Sequence, residues 1–232
     1  MEIGFATLDD CDRATGAVVV VDVLLAFTTA AYAFSRGASS IVLTSTVEEA
    51  LALKGRFAGA LAMGEVGTLP VPEFDLSNSA AALLDQDLSD RRIIHRTSNG
   101  TQGVHRARNA KALFVTSFPN ARATAAQVRE DGADGVTFVI TGITDDREGD
   151  EDRSCADYIA AILTGGVPDR RAYVERARNS ACGQWFADPE KPQYRLRDLD
   201  LATDVDRFDF AMPVSREDGL LIARPVKPGA LA

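Results

Sequence analysis

"AVVVVDVLLAFTTAAYAFSRG", residues 17–37, decides the fold class. Four successive valines lead to Asp22, a run that is apolar on both faces of a strand. Such a strand belongs inside a parallel sheet covered by helices on each side. The segment "TTAAYAFSRG" after it has helical spacing. The same alternation recurs, with "SIVLTS" (40–45) before "TVEEALALKGRF" and "ALFVTS" (112–117) before "NARATAAQVREDG". "RIIHRT" (92–97) and "GVTFVIT" (135–141) are two more strand runs, and "GALAMGE" (59–65) is a further candidate. The pattern predicts an α/β fold, a three-layer α/β/α domain with a mostly parallel central sheet. Thr46 with Glu49 forms a capping-box signature, and Asn120 is placed to cap the helix that follows it.

Past Gly166 the rhythm changes. "PDRRAYVERARNS" reads as a charged surface helix, and "RFDFAMPVSREDGLLIARPV" as a hairpin turning at Glu217, Asp218 and Gly219. No repeat and no Pro-, Gly- or Ser-rich linker divides the chain. The expectation is one domain over 1–232, with a core of about 1–165 and a C-terminal hairpin extension within 166–232.

The composition, 46% hydrophobic and 25% charged over 232 residues, can fill a core. A formal charge of -9 argues against nucleic-acid and anionic-membrane partners, which need basic patches. Cys11, Cys155 and Cys182 are widely spaced and form neither a zinc motif nor a disulfide framework. The stretch "MEIGFATLDD" lacks the basic region and long apolar run of a signal peptide, and no apolar run approaches ~20 residues. A cytoplasmic protein is expected, without a membrane partner, and as a homo-oligomer.

In open α/β sheets ligands bind at the carboxyl ends of the strands. Asp22 follows the valine run, Gly64 and Glu65 follow "GALAM", "RTSNGTQG" (96–103) follows "RIIH", and an acidic loop with Glu151 and Asp152 follows "FVIT". Each has a local alternative. Asp22 can cap the next helix, Glu65 can be a surface turn residue, and "TDDREGDED" (144–152) can be a solvated loop. Asn99 and Gly100 can form a turn of positive φ, with Thr101 as a cap. On the functional reading, backbone N–H groups and the hydroxyls of Thr97, Ser98 and Thr101 hold anion oxygens. "PEFDLSNSA" (72–80) brings Asp75 and Asn78 to the same rim, or starts a helix. His95, His105 and Cys155 read as structural residues. There is no P-loop, no GxGxxG after a strand, no HExxH and no GxSxG. What remains is carboxylate-bound magnesium assisting chemistry on an anionic group.

The ordered series "VVVVDVLLAFTTAAYAFSRGA", "GEVGTLPVPEFDLSNSA", "RTSNGTQG", "FVTSFPNARA" and "EDRSCADYIAAIL" resembles the 2-phosphosulfolactate phosphatase (ComB-like) family over about residues 17–165. The resemblance implies a Mg2+-dependent phosphatase that converts 2-phospho-3-sulfolactate to 3-sulfolactate and phosphate on the route to coenzyme M. By position it implies Asp22, Glu65 and Asp75 as catalytic residues. Asn78, Thr97, Ser98, Asn99, Gly100 and Thr101 would bind the small anionic phosphoester, and Asp22, Glu65 and Asp152 the metal. Two arginines of the family pattern are replaced here, by Leu25 and Val66. An aliphatic side chain cannot replace a bidentate guanidinium. Arg36, Arg96, Arg106 or Arg122 would have to compensate. Two alternatives follow: a non-catalytic or altered-specificity anion-binding protein on this scaffold, and a haloacid-dehalogenase-type phosphatase using Asp22, in which the second aspartate of Asp-x-Asp is Leu24.

Overall fold

Val18, Val19, Val20 and Val21 are wholly buried, and their strand lies inside an open sheet. The computed structural model describes residues 1–144 and 147–229. In chain order the strands are β1 (Glu2–Thr7), β2 (Ala17–Val21), β3 (Ser40–Thr44), β4 (Leu61–Val66), β5 (Leu69–Pro70), β6 (Leu76–Ser77) and β7 (Arg92–Arg96). Then come β8 (Ala112–Thr116), β9 (Gly135–Ile140), β10 (Ile143–Thr144), β11 (Arg147–Glu148), β12 (Met212–Glu217) and β13 (Leu220–Ala223). The helices are α1 (Ala26–Ser35), α2 (Val47–Arg56), α3 (Ala80–Leu83), α4 (Gly100–Arg106), α5 (Ala121–Glu130), α6 (Asp150–Leu163), α7 (Arg170–Asn179), α8 (Ala181–Trp185) and α9 (Leu196–Ala202). Among these, no helix is long and apolar enough to cross a membrane.

The main path of the sheet is β1-β9-β2-β8-β12-β13-β3-β7-β4-β5. β1, β9, β2 and β8 form one parallel half, and β3, β7 and β4 a second. The expected C-terminal hairpin forms. Its two-residue turn, Asp218 and Gly219, has positive φ at both positions, which matches a type I′ turn. It is not an outer extension, however. β12 pairs antiparallel with β8 through Met212 and Pro213, and β13 pairs antiparallel with β3. The last strands of the chain therefore join the two halves in the middle of the sheet.

Alternation along β2 explains the layers. Val18 and Val20 enter one core with α1, Val104 of α4, and Ile41, Leu43 and Ile93 of the other half. Val19 and Val21 enter a second core with α5 and α6. Val42 and Ile94 pack with α2 in a third. Both faces of the sheet are covered, as the continuous apolar runs require, and the first core is shared by the two halves.

Three local readings change. β1 is an added edge strand, parallel to β9. Glu49 donates its amide to Thr46 Oγ1 at 3.1 Å, but its carboxylate reaches back to the Ser45 amide rather than to Thr46. Asn120 does not cap α5 through its side chain; it accepts from the Ser117 amide at 3.2 Å, closing the short turn before that helix.

Two predictions follow from this layout. A chain ending at residue 207 lacks the strands that join the halves, and calorimetry should show no cooperative transition for it. His95 in β7 is fully buried, neither ring nitrogen has a hydrogen-bond partner, and burial pushes its pKa down to about 3. The unfolded chain takes up that proton near pH 6.5 and the fold only near 3. Stability is therefore lost as pH falls through that window, by up to ~1.4 kcal/mol per pH unit. In urea titrations between pH 7 and 4, His95→Met should lose visibly less stability on acidification than the parent.

Candidate active site

A cavity of about 280 Å3 opens where the ends of β2, β4 and β7 converge, with Asp22, Glu65, Asn78, Thr97, Ser98 and Asn99 in its wall. Six of the expected site residues thus meet although they come from both halves of the sheet. The lining also holds residues that the sequence reading did not single out. Arg147 comes from β11, and Phe186, Tyr194 and Arg195 come from α8 and the stretch leading to α9.

Asp22 is 6% exposed. Its Oδ1 accepts the Ala26 amide at 3.0 Å, so it caps the first turn of α1 as well as facing the cavity. No hydrogen bond engages Oδ2 among the described residues. Gly100 explains how α4 comes so close: a Cβ there would stand 2.7 Å from Asp22 Oδ2 and 2.8 Å from the Ala26 methyl. The expected positive φ at Asn99 and Gly100 is absent. Glycine is required here by contact with Asp22, not by turn geometry. Burial, opposed by the Ala26 amide and reinforced by the charges of Glu65 and Glu151, raises the Asp22 carboxyl to about 6.

Glu65 has a different role from the one expected. Its Oε1 accepts the Ser98 amide at 2.6 Å, and its Oε2 accepts the Thr68 amide at 2.6 Å and the Ser98 hydroxyl at 3.2 Å. The amide at the start of the 97–101 loop therefore already holds a carboxylate. Thr97 and Thr101 also serve each other, each accepting the other's amide on its hydroxyl, at 3.0 and 3.1 Å. Their hydroxyls lock the loop rather than line up for a ligand. Ser98 and Asn99 remain on the cavity wall. With its amide oxygen turned to Arg147, Asn99 accepts from Nη2 at 2.6 Å and donates to Ser98 O at 3.1 Å. Asn78 Oδ1 is buried without a hydrogen-bond partner.

Asp75 is drawn away from the cavity. It accepts the Ala62 amide at 2.8 Å and pairs with Lys54 at 2.8 Å, which ties the segment before α3 to β4. Asp152 is 2% exposed. Its Oδ1 accepts the Val23 amide at 2.7 Å, and its Oδ2 the Gly142 amide at 2.7 Å and the Thr141 hydroxyl. Burial, with the charges of Glu151 and Asp22, pushes its pKa well above the usual carboxylate range against those amides. Burial also raises Glu151. Among the described residues no three His, Cys, Asp or Glu side chains form a group able to hold a metal ion. The expected Asp22, Glu65 and Asp152 ligand set is therefore not assembled, because both oxygens of Glu65 and of Asp152 already serve the backbone. Asp145 and Asp146 of the acidic loop lie outside the described residues.

The arginines expected to compensate for Leu25 and Val66 mostly lie elsewhere. Arg36 donates to Gln86 O at 2.9 Å, Arg106 to Leu8 O at 2.9 Å, and Arg122 pairs with Asp206. Arg96 stays close behind the wall, donating to Glu65 O at 2.7 Å. The cavity's own guanidinium groups are those of Arg147 and Arg195.

Residues 6–206 match the sequence profile of the family described as 2-phosphosulpholactate phosphatase. A probable 2-phosphosulfolactate phosphatase of Bacillus subtilis (strain 168) is 37% identical over 202 residues, covering 87% of this chain and 87% of that protein. Proteins of the same description from Carboxydothermus hydrogenoformans and Thermus thermophilus are 41% and 37% identical over 147 residues. Those matches cover 63% of this chain and 60% and 61% of the relatives.

The raised Asp22 pKa makes a testable statement about strain. The fold holds that proton better than the unfolded chain, so stability is lost as pH rises from 3.8 through about 6. Asp22→Asn keeps an acceptor for the Ala26 amide and removes the buried charge. It should be more stable than the parent by roughly 3 kcal/mol at pH 7.5, or ~6–10 °C in Tm, with the gain vanishing near pH 4. Scanning calorimetry at the two pH values checks this.

Proposed function

We propose that this chain, which belongs to the 2-phosphosulpholactate phosphatase family, is a Mg2+-dependent phosphomonoesterase acting on the phosphate ester of a small hydroxy acid. The relatives' named substrate, 2-phosphosulfolactate, belongs to that class. A cavity of about 280 Å3 suits a ligand of this size. The observation that carries the reading is a buried carboxylate, Asp22, raised to about 6 and lining that cavity beside Asn78, Ser98, Asn99 and Arg147. A carboxyl poised near neutrality is what general acid–base work at pH 7 requires.

The residues present fit a hard cation in a limited way. The unpartnered Asn78 Oδ1 and, through an intervening water, Asp22 Oδ2 are the oxygens of the lining that would hold the ion. Mg2+ is commonly held by one or two carboxylates together with water and substrate phosphate. Bound there, the ion would offset phosphoryl charge and polarise the ester. The chain's own groups do the rest. Asp22 accepts a proton from attacking water, the remaining N–H of the Asn99 amide orients a phosphate oxygen, and Arg147 balances the phosphate charge. Glu65 keeps the 97–101 loop in place for them. Water adds to phosphorus, the ester C–O–P link breaks at the P–O bond, and the hydroxy acid leaves with the proton.

Phosphate release from a panel of small phosphoesters, including 2-phospho-3-sulfolactate, should depend on Mg2+ and stop with a chelator. Asp22→Asn should lower kcat by ~10²–10⁴-fold, and Asn78→Ala should raise the Mg2+ concentration for half-maximal rate by about tenfold. Mg2+-independent release, or full activity of Asp22→Asn, would sink the proposal. One competing reading, motivated by Leu25 and Val66 where the resemblance implies arginines, is an anion-binding protein without turnover. Ligand binding with no product would establish it. The coenzyme M branch would follow only from turnover of the sulfonated ester.

A further inference from the structure

The cavity lining mixes two kinds of surface: Asp22, Asn78, Ser98 and Asn99 are polar, while Leu24, Leu25, Phe186 and the Tyr194 ring present carbon. Leu24 and Leu25 are half-buried and pack against the core of α5 and α6. Phe186 is 4% exposed, and its ring centroid lies 5.2 Å from that of Tyr194, which in turn meets Trp185 at 5.4 Å. These contacts brace the aromatic wall against α8.

Positive charge in the lining is sparse and differs in kind. Arg147 is engaged with Asn99 and with Cys182 Sγ at 3.8 Å. Arg195, the residue that precedes α9, is exposed; its carbonyl accepts the Asp198 amide at 2.8 Å, and its guanidinium makes no hydrogen bond or ion pair among the described residues. A single unengaged guanidinium beside an aromatic and aliphatic wall suits one carboxylate attached to an apolar body. A sulfonate packed against Leu24, Leu25 and Phe186 would have no second unengaged guanidinium to pair with and would pay a desolvation cost against their carbon.

We propose that the preferred substrate is the phosphate ester of a 2-hydroxy acid with an apolar, aromatic-sized side chain, whose carboxylate is held by Arg195 and whose side chain lies against Leu24, Leu25, Phe186 and Tyr194. This rests on the phosphomonoesterase reading and narrows it. Arg195 determines specificity and takes no part in the bond-breaking step.

The test compares kcat/KM of the full chain with Mg2+ for 2-phospho-3-phenyllactate, 2-phospho-3-sulfolactate and phenyl phosphate. The phenyllactate ester should exceed the sulfolactate ester by about tenfold or more. Arg195→Ala should raise KM for the phenyllactate ester by ~10–100-fold, at least tenfold more than for phenyl phosphate, while Arg195→Lys recovers part of the loss. Leu25→Arg should shift preference toward the sulfonated ester. A sulfolactate ester turned over equally well or better overturns the inference, as does an Arg195→Ala effect that is the same for all three esters. If no ester is hydrolysed, the phosphatase reading fails by itself. Calorimetric binding of 3-phenyllactate and 3-sulfolactate then decides the subsite: tighter phenyllactate supports it, and equal or reversed affinity overturns it.

Discussion

The carboxylate of Asp152 anchors the strand ends that carry Asp22 to the cavity. From the first turn of α6 it takes the Val23 amide on one oxygen and the Gly142 amide and Thr141 hydroxyl on the other. Two neighbouring strand ends, after β2 and after β9, are thereby tied to one helix start. Asp22 lies one residue before Val23, so its placement depends on this junction. The site can be this tight only because Gly142 carries no side chain: a Cβ there would stand 2.8 Å from Glu151 Oε1 and 3.0 Å from Asp152 Oδ2. Removing the carboxylate would leave buried amides without acceptors, a loss of a few kcal/mol for each group of this kind.

Glu65 does for the second half of the sheet what Asp152 does for the first. An acidic side chain after a strand suggests a ligand for a metal or a substrate, yet both carboxylates are spent on backbone N–H groups. The division of labour is physical. A carboxylate that accepts two amides is held in one rotamer and has little left to offer a ligand. Asp22 gives one oxygen to the Ala26 amide and is left in a buried, acidic neighbourhood with a raised pKa. Groups strained in this way are kept where chemistry needs them and cost stability.

The hairpin in the middle of the sheet has a similar consequence at larger scale. Three antiparallel pairings, β8 with β12, β12 with β13, and β13 with β3, join two parallel halves. The shared core behind them, with α1 and α4, brings the ends of β2, β4 and β7 to one cavity. The C-terminal part of the chain supplies that join and, through Phe186, Tyr194 and Arg195, part of the lining. Residues far apart in the sequence, Asp22 and the 186–195 segment, therefore line the same cavity.

Continuous apolar runs by themselves determined the strands β2, β3, β7, β8 and β9 and the helices between them, because burial on both faces leaves a local signature in every residue. The turn at Asp218 and Gly219 was equally legible, since a two-residue turn with positive φ selects that dipeptide. β1 was not: its half-exposed edge position demands little of its residues, and "EIGFAT" shows no run. Asp22, Asn78, Ser98 and Asn99 could be placed on one rim from their positions after strands. That Glu65, Asp75, Thr97, Thr101 and Asp152 would be engaged with backbone or with each other could not, because a carboxylate's partners are set by which amides lie within 3 Å of it. Arg147 sat unnoticed in an acidic stretch, and Arg195 in a charged one. Only packing of segments more than a hundred residues apart decided that these two guanidinium groups, and not those nearer in sequence, face the cavity.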